Sequence, residues 1–261
     1  IADAATEDGE AIRIDLTAFA FDADDEDDGD SLTYTLGEGT GEGSFELDED
    51  GTTLIFRPGE DFQDLADEET RDVGIDVTAT DQRGATATST VTVTVTGTND
   101  APEVTVESFA PVQEGDTGVL SNVPFDLADI VTATDVDNGE TAEIDSESIV
   151  VSEAEVSDFD GGADSFALAG TTLTVDTANF DSLAEGETAR FDVTFDVVSG
   201  DDTVEQTTTI EITGVNDAPE VEDQDYEAPV GGTLNGTIAA SDVDASDTLN
   251  FSLNGTGPTK G

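Results

Sequence analysis

The feature that most constrains this chain is its self-similarity. Gly97-Thr98-Asn99-Asp100-Ala101-Pro102-Glu103 recurs 117 residues later as Gly214-Val215-Asn216-Asp217-Ala218-Pro219-Glu220. Asp-x-Asp occurs at matched places as Asp22-Ala23-Asp24, Asp135-Val136-Asp137 and Asp242-Val243-Asp244. Glu7, Glu114 and Glu227 precede these pairs. Asp67-Glu68-Glu69 and Glu185-Gly186-Glu187 each lie just ahead of an apolar run, Val73–Ala79 and Phe191–Val197. Several elements in one order at near-constant spacing mark a tandem array. The expected boundaries give repeat 1 at 1–98, repeat 2 at 99–215 and the N-terminal half of a third repeat at 216–261. On this reading the chain is a piece of something longer.

Each repeat reads as strands. Thr88 to Thr96 alternates strictly, with Val91, Val93 and Val95 on one face; Glu205 to Thr213 does so more weakly. Leu32–Leu36, Thr53–Phe56 and Thr172–Val175 are further expected strands, separated by Gly, Asp and Asn clusters. No segment holds a 3.6-residue period over three turns, although 61–69 has room for one short turn. Short strands with a turn every 8–12 residues predict Greek-key β-sandwiches, with Phe56, Phe191 and Phe195 in their cores.

Composition narrows the chemistry. There are 64 acidic residues against six basic ones, a net charge of −58. Phosphate backbones and anionic lipid surfaces are therefore excluded as partners. The chain has no Cys and no His, which removes disulfides, thiolate nucleophiles, imidazole bases and zinc sites built on them. Oxygen ligands remain, and these select hard cations. Two carboxylates about 4 Å apart repel by roughly 4 kcal/mol at an effective dielectric near 20. Acids gathered at one place in every copy therefore need a cation, a shifted pKa or free solvation. Ca²⁺ suits flexible loop carboxylates better than the stricter Mg²⁺.

Each signal has a plainer reading. A single Asp in a turn bonds its own backbone, and the block Asp25–Asp30 reads as solvated surface. The acidity as a whole suits a halophilic or marine setting, where counterions screen self-repulsion. Gly115-Asp116-Thr117-Gly118 has no second copy to form an aspartic-protease dyad. No aromatic cluster suggests a sugar cleft, so no catalytic residue is expected. The sequons at Asn235, Asn250 and Asn254 read as turns.

The Asn-Asp-Ala-Pro linker, the Asp-x-Asp loop and the acid–x–acid element together resemble bacterial and archaeal cadherin-like repeats. The phrase from Phe62-Gln63-Asp64-Leu65 to Gly97-Thr98-Asn99-Asp100 is similar to the VCBS class of large surface adhesins. The resemblance implies tandem Ig-like or cadherin-like all-β sandwiches arranged end to end, with Ca²⁺ between consecutive domains. At the first junction it implies Glu7, Asp67, Glu69, Asn99, Asp100, Asp135 and Asp137 as ligands. At the second it implies Glu114, Glu185, Glu187, Asn216, Asp217, Asp242 and Asp244. Asp22, Asp24 and Asp81 would face a preceding domain. Gly97 and Gly214 depart from the animal linker, as do Ala101 and Ala218. Ser199 stands where the first copy has Asp81, with Asp201 as a substitute ligand, so one or two ions per junction are expected.

The implied function is a calcium-rigidified extender or adhesion module of a secreted or cell-surface protein. Its partners would be neighbouring repeats. The alternatives are a self-assembling filament or matrix subunit, joined homotypically by β-strand complementation through the third segment, and a carbohydrate-binding module for surface polysaccharide. The last has no Trp and only Tyr34 and Tyr226 to offer a sugar.

Overall fold

A computed structural model describes residues 2–21, 32–115, 122–155, 165–227, 230–233, 235–244 and 246–252. Every long element among them is a strand, and the helical pieces are single 3-10 turns. The chain is all-β. It divides into two compact units. The first holds 1–103 together with 133–143 and 198–204; the second holds 104–132, 144–197 and 205–261.

In the first unit, strands Ala2–Thr6, Thr86–Thr96, Thr70–Thr80 and Thr33–Gly39 form one sheet in that order. Ile12–Asp15, Thr53–Arg57 and Ser44–Leu47 form the other. Thr86–Thr96 is built by alternation: Val91, Val93 and Val95 are buried while the threonines between them are not. The inward residues of both sheets share one core, including Ile14, Leu54, Phe56, Val73, Ile75 and Tyr34. Phe62 and Leu65, on the turn that leads into Thr70–Thr80, are buried in the same core.

The second unit repeats the plan. Glu143–Glu155, Thr188–Ser199, Asp202–Thr213 and Val112–Gln113 make one sheet, apart from the strand ends at 143 and 198–204 that cluster with the first unit; Asn122–Asp126, Thr172–Asp176 and Phe166–Ala169 make the other. Ala189, Phe191, Val193, Phe195 and Val197 alternate inward and are fully buried. The expected core positions Phe56, Phe191 and Phe195 are all at 0% exposure. The expected turn at 61–69 is hydrogen-bonded without becoming a helix, with Leu65 N–H on the Phe62 carbonyl at 2.9 Å.

One feature of each sheet fixes where a glutamate sits. Ala2–Thr6 runs parallel to Thr86–Thr96, pairing Ala2 with Thr92 and Thr6 with Thr96. Val112–Gln113 likewise runs parallel to Ile212–Thr213. Glu7 and Glu114 follow these strands directly and continue the pairing, their N–H groups donating to Thr96 O and Thr213 O at 3.1 and 3.0 Å. Each glutamate thereby points at the linker leaving its own sandwich.

Candidate metal centres

The first centre lies within the first unit. Glu7 is 2% exposed. Its Oε1 accepts from Thr98 N–H at 2.6 Å and from the Thr98 hydroxyl at 3.0 Å. Asp137, 3% exposed, accepts at Oδ2 from Asp100 N–H at 2.9 Å. Its own N–H donates to Asp135 Oδ1 at 2.9 Å. One oxygen of each carboxylate is thus used to shape the loop. The other oxygens, Glu7 Oε2, Asp100 Oδ2, Asp135 Oδ2 and Asp137 Oδ1, are buried with no hydrogen-bond donor. Carboxyl oxygens of Asp135, Asp137 and Glu140 lie within 4.8 Å of one another.

The electrostatics follow from that crowding. Burial, then Asp8, Asp137, Asp135 and Asp202, push the Asp100 carboxyl above its usual range. Asp137 is raised by burial and by Asp135, Asp202 and Glu69, against the opposing Asp100 N–H. Burial raises Glu7 and Glu140 too, each with help from neighbouring acids. Among the described residues no arginine or lysine forms an ion pair with any of these groups. Carboxylates crowded in this way, several with a buried oxygen that no donor reaches, need a compensating positive charge or a proton.

The second centre, within the second unit, repeats the backbone N–H bonds, while the Thr98 hydroxyl bond has no counterpart at Val215. Glu114, 6% exposed, accepts from Val215 N–H at 2.6 Å. Asp244, 3% exposed, accepts from Asp217 N–H at 2.9 Å and donates its own N–H to Asp242 Oδ1 at 3.2 Å. Glu114 Oε2 and Asp244 Oδ1 are again buried without a donor. Burial, then Asp217, Asp181 and Asp244, push Glu114 up to about 7.

The acid–x–acid elements do local work at both places. Glu69 Oε2 accepts from Ala66 N–H at 3.3 Å, and Glu187 Oε2 from Ala184 N–H at 3.0 Å. Their carbonyls accept from Gly97 and Gly214 N–H at 2.8 and 2.9 Å. Both glycines are required there. A Cβ on Gly97 would stand 2.3 Å from the Leu65 carbonyl oxygen, and one on Gly214 would stand 2.3 Å from that of Leu183. The middle residue of each element has a left-handed backbone, Glu68 at φ 60° and Gly186 at φ 89°. Asp67 and Glu185 are exposed beside them. Asn99 and Asn216 brace the linker, each donating its Nδ2 to the following carbonyl, at 3.2 and 2.6 Å.

Other expected ligands fall elsewhere. Asp81 sits in the hairpin joining Thr70–Thr80 to Thr86–Thr96, where Oδ1 accepts from Arg83 and Ala85 N–H at 2.8 and 2.7 Å. Asp201 is exposed and acts on Glu140, while its neighbour Asp202 takes the Asn99 Nδ2 at 2.9 Å. Asp22, Asp24 and the block 25–30 lie outside the described residues. Four participants went unread in the sequence: Glu140, Asp247, Asp202 and Asp181. The first two had a signal, since Asp-x-Asp-x-x-acid recurs at 135–140 and 242–247. Asp181 Oδ1 is buried without a donor, but its counterpart is Gln63, so repetition could not reveal it.

Residues 1–94 match the family model of a bacterial Ig domain. The structure is similar to that of human CDH23 EC21-23, at TM-score 0.45 and 16% identity, covering 94% of this chain and 78% of that one. Mouse cadherin-23 EC22-24 is similar at TM-score 0.47 and 21% identity, with 93% and 74% covered. A protocadherin gammaB7 EC3-6 cis-dimer structure gives TM-score 0.46 and 18% identity, with 93% and 54% covered. No curated protein matches the sequence. Among the described residues no helix is long and apolar enough to cross a membrane.

Proposed function

We propose that this chain is a non-catalytic, calcium-rigidified extender or adhesion module of a secreted or cell-surface protein, built from VCBS-type repeats at the boundaries given above. The observation that carries the reading is the matched set of donorless buried carboxylate oxygens. Glu7 Oε2 pairs with Glu114 Oε2, and Asp137 Oδ1 with Asp244 Oδ1, at equivalent places in both units. A buried charge without a partner is strongly destabilising; the same defect at equivalent places argues for a shared ligand. All the donors are hard oxygens, and six to eight of them are what Ca²⁺ takes. Glu7, Asp100, Asp135, Asp137 and Glu140, with Asp67 and Glu69, would hold the ion at the first centre. Glu114, Asp181, Asp217, Asp242, Asp244 and Asp247, with Glu185 and Glu187, would do so at the second. The ion supplies positive charge. The protein supplies the linker and loop carboxylates that the ion would hold together.

Calcium titration tests the reading. At about 100 times the dissociation constant one ion adds roughly 2.7 kcal/mol to the folded state, so the melting temperature rises in millimolar Ca²⁺ and less in Mg²⁺. Asp135→Asn with Asp137→Asn removes the first centre's share of that rise. Equal melts in EGTA and in calcium would overturn the reading.

Exposed apolar side chains in the third segment favour a second reading, a self-assembling subunit. Val221 is 60%, Ile238 57% and Phe251 61% exposed. Sedimentation showing concentration-dependent association, lost in Ile238→Lys, supports it; a monomer throughout removes it.

A further inference from the structure

The first centre has three side chains that the second copy does not carry. Asn138, in the loop of Asp135 and Asp137, donates its backbone N–H to the Asp64 carbonyl at 3.0 Å. Its Nδ2 donates to Asp64 Oδ2, also at 3.0 Å. The same Oδ2 accepts from Arg71 Nη2 at 2.7 Å. Arg71 is itself held, reaching Glu42 Oε1 and the Asp61 carbonyl at 3.4 Å and lying 5.9 Å over the Phe62 ring. The Arg71 and Asn138 donors hold the Asp64 carboxyl below its usual range. At the matching positions the second copy has Ser182 for Asp64, Ala189 for Arg71 and Ala245 for Asn138. Ala189 is fully buried and offers no cation. The second centre also carries Asp181 where the first has Gln63, one more acid, with a buried Oδ1, to repel its neighbours.

We propose that Asp64, Arg71 and Asn138 form a metal-independent latch that seats the 135–140 loop before any ion binds. The matching loop at 242–247 meets Ser182 and Ala189 in place of Asp64 and Arg71, and carries Ala245 in place of Asn138; without those side chains it is the loop that needs the cation to be seated. The two centres are therefore unequal: the first is preorganised and the second is the calcium-sensitive one. Only the calcium half of this inference rests on the function proposed above.

Amide hydrogen exchange on the whole chain, in EGTA and in calcium, separates the two. A charge-assisted hydrogen bond shifts an equilibrium by about tenfold or more. In EGTA, segment 133–143 should exchange at least about tenfold more slowly than 240–247, and calcium should slow mainly the latter. Asp64→Ser, which installs the second copy's residue, and Asn138→Ala, at an exposed position, should each erase the difference in EGTA. Protection across Thr86–Thr96 should stay unchanged and certify the fold. Equal exchange of the two loops in EGTA, or Asp64→Ser leaving 133–143 as slow as before, would overturn the latch. If calcium alters neither loop, the metal reading fails and the latch is still decided by the EGTA data alone.

Discussion

Glu114 should destabilise the fold in chelator and stabilise it in calcium. Its carboxyl, pushed up to about 7 by burial and by Asp217, Asp181 and Asp244, prefers its proton in the folded state. A raised folded pKa means that stability is present below the unfolded value and is lost as pH rises through the folded one. In chelator, stability should therefore decline between about pH 4.5 and 7, and Glu114→Gln should flatten that decline and raise the melting temperature at pH 7.5. In calcium the same variant should melt lower than the parent. The sign change is the diagnostic, because a purely structural glutamate would shift both melts in one direction. Glu68 offers a smaller test. Its left-handed backbone costs a residue with a Cβ about 1–2 kcal/mol, and the second copy uses Gly186 there. Glu68→Gly should raise stability by about 0.5–1 kcal/mol in thermal melts, part of the gain being lost to the greater freedom of glycine in the unfolded chain.

At the level of elements, the linker's first residue turns out to be a packing requirement. Gly97 departs from the animal pattern because the Leu65 and Ala66 carbonyl oxygens lie where its Cβ would go, at 2.3 and 2.4 Å. Backbone cannot yield as a side-chain tip can, so Gly97→Ala should cost about 1–3 kcal/mol in denaturant titration and weaken calcium binding by displacing Asn99 and Asp100. The alternating strands were legible in advance because Val91, Val93 and Val95 leave only one face apolar. The short parallel strands were not. Ala2–Thr6 reads Ala-Asp-Ala-Ala-Thr, with too little apolar contrast to carry a period, and Val112–Gln113 is two residues long. Among the carboxylates, repetition points only to those present in every copy. Asp64 and Asp202 escaped because each acts in one copy alone, and chain proximity says nothing of the Asn138 and Asn99 amides they meet.

For the whole molecule, a charge of −58 acts on every equilibrium at once. Raising NaCl from 0.1 to 1 M shortens the screening length from about 10 to 3 Å. In chelator the melting temperature should climb over that range, because exposed acids cease to repel. The donorless oxygens at the two centres are screened far less, so the calcium-dependent part of the rise should persist at 1 M. A calcium effect that vanishes at high salt would reduce the ion to a general counterion.

The parallel pairing of Ala2–Thr6 on Thr92–Thr96 has a mechanical consequence. A pull on the two ends of the first sandwich drags these strands past each other along their length. The evenly spaced bonds of a parallel ladder then share the load in shear, where a hairpin pulled at its open end would unzip one bond at a time. Five residue pairs lie in that clamp in the first sandwich and two in the second, Ile212 with Val112 and Thr213 with Gln113. Pulled by its own ends, the second sandwich should therefore rupture at a lower force than the first. Single-molecule pulling on each sandwich separately reads that difference, and equal rupture forces would remove it.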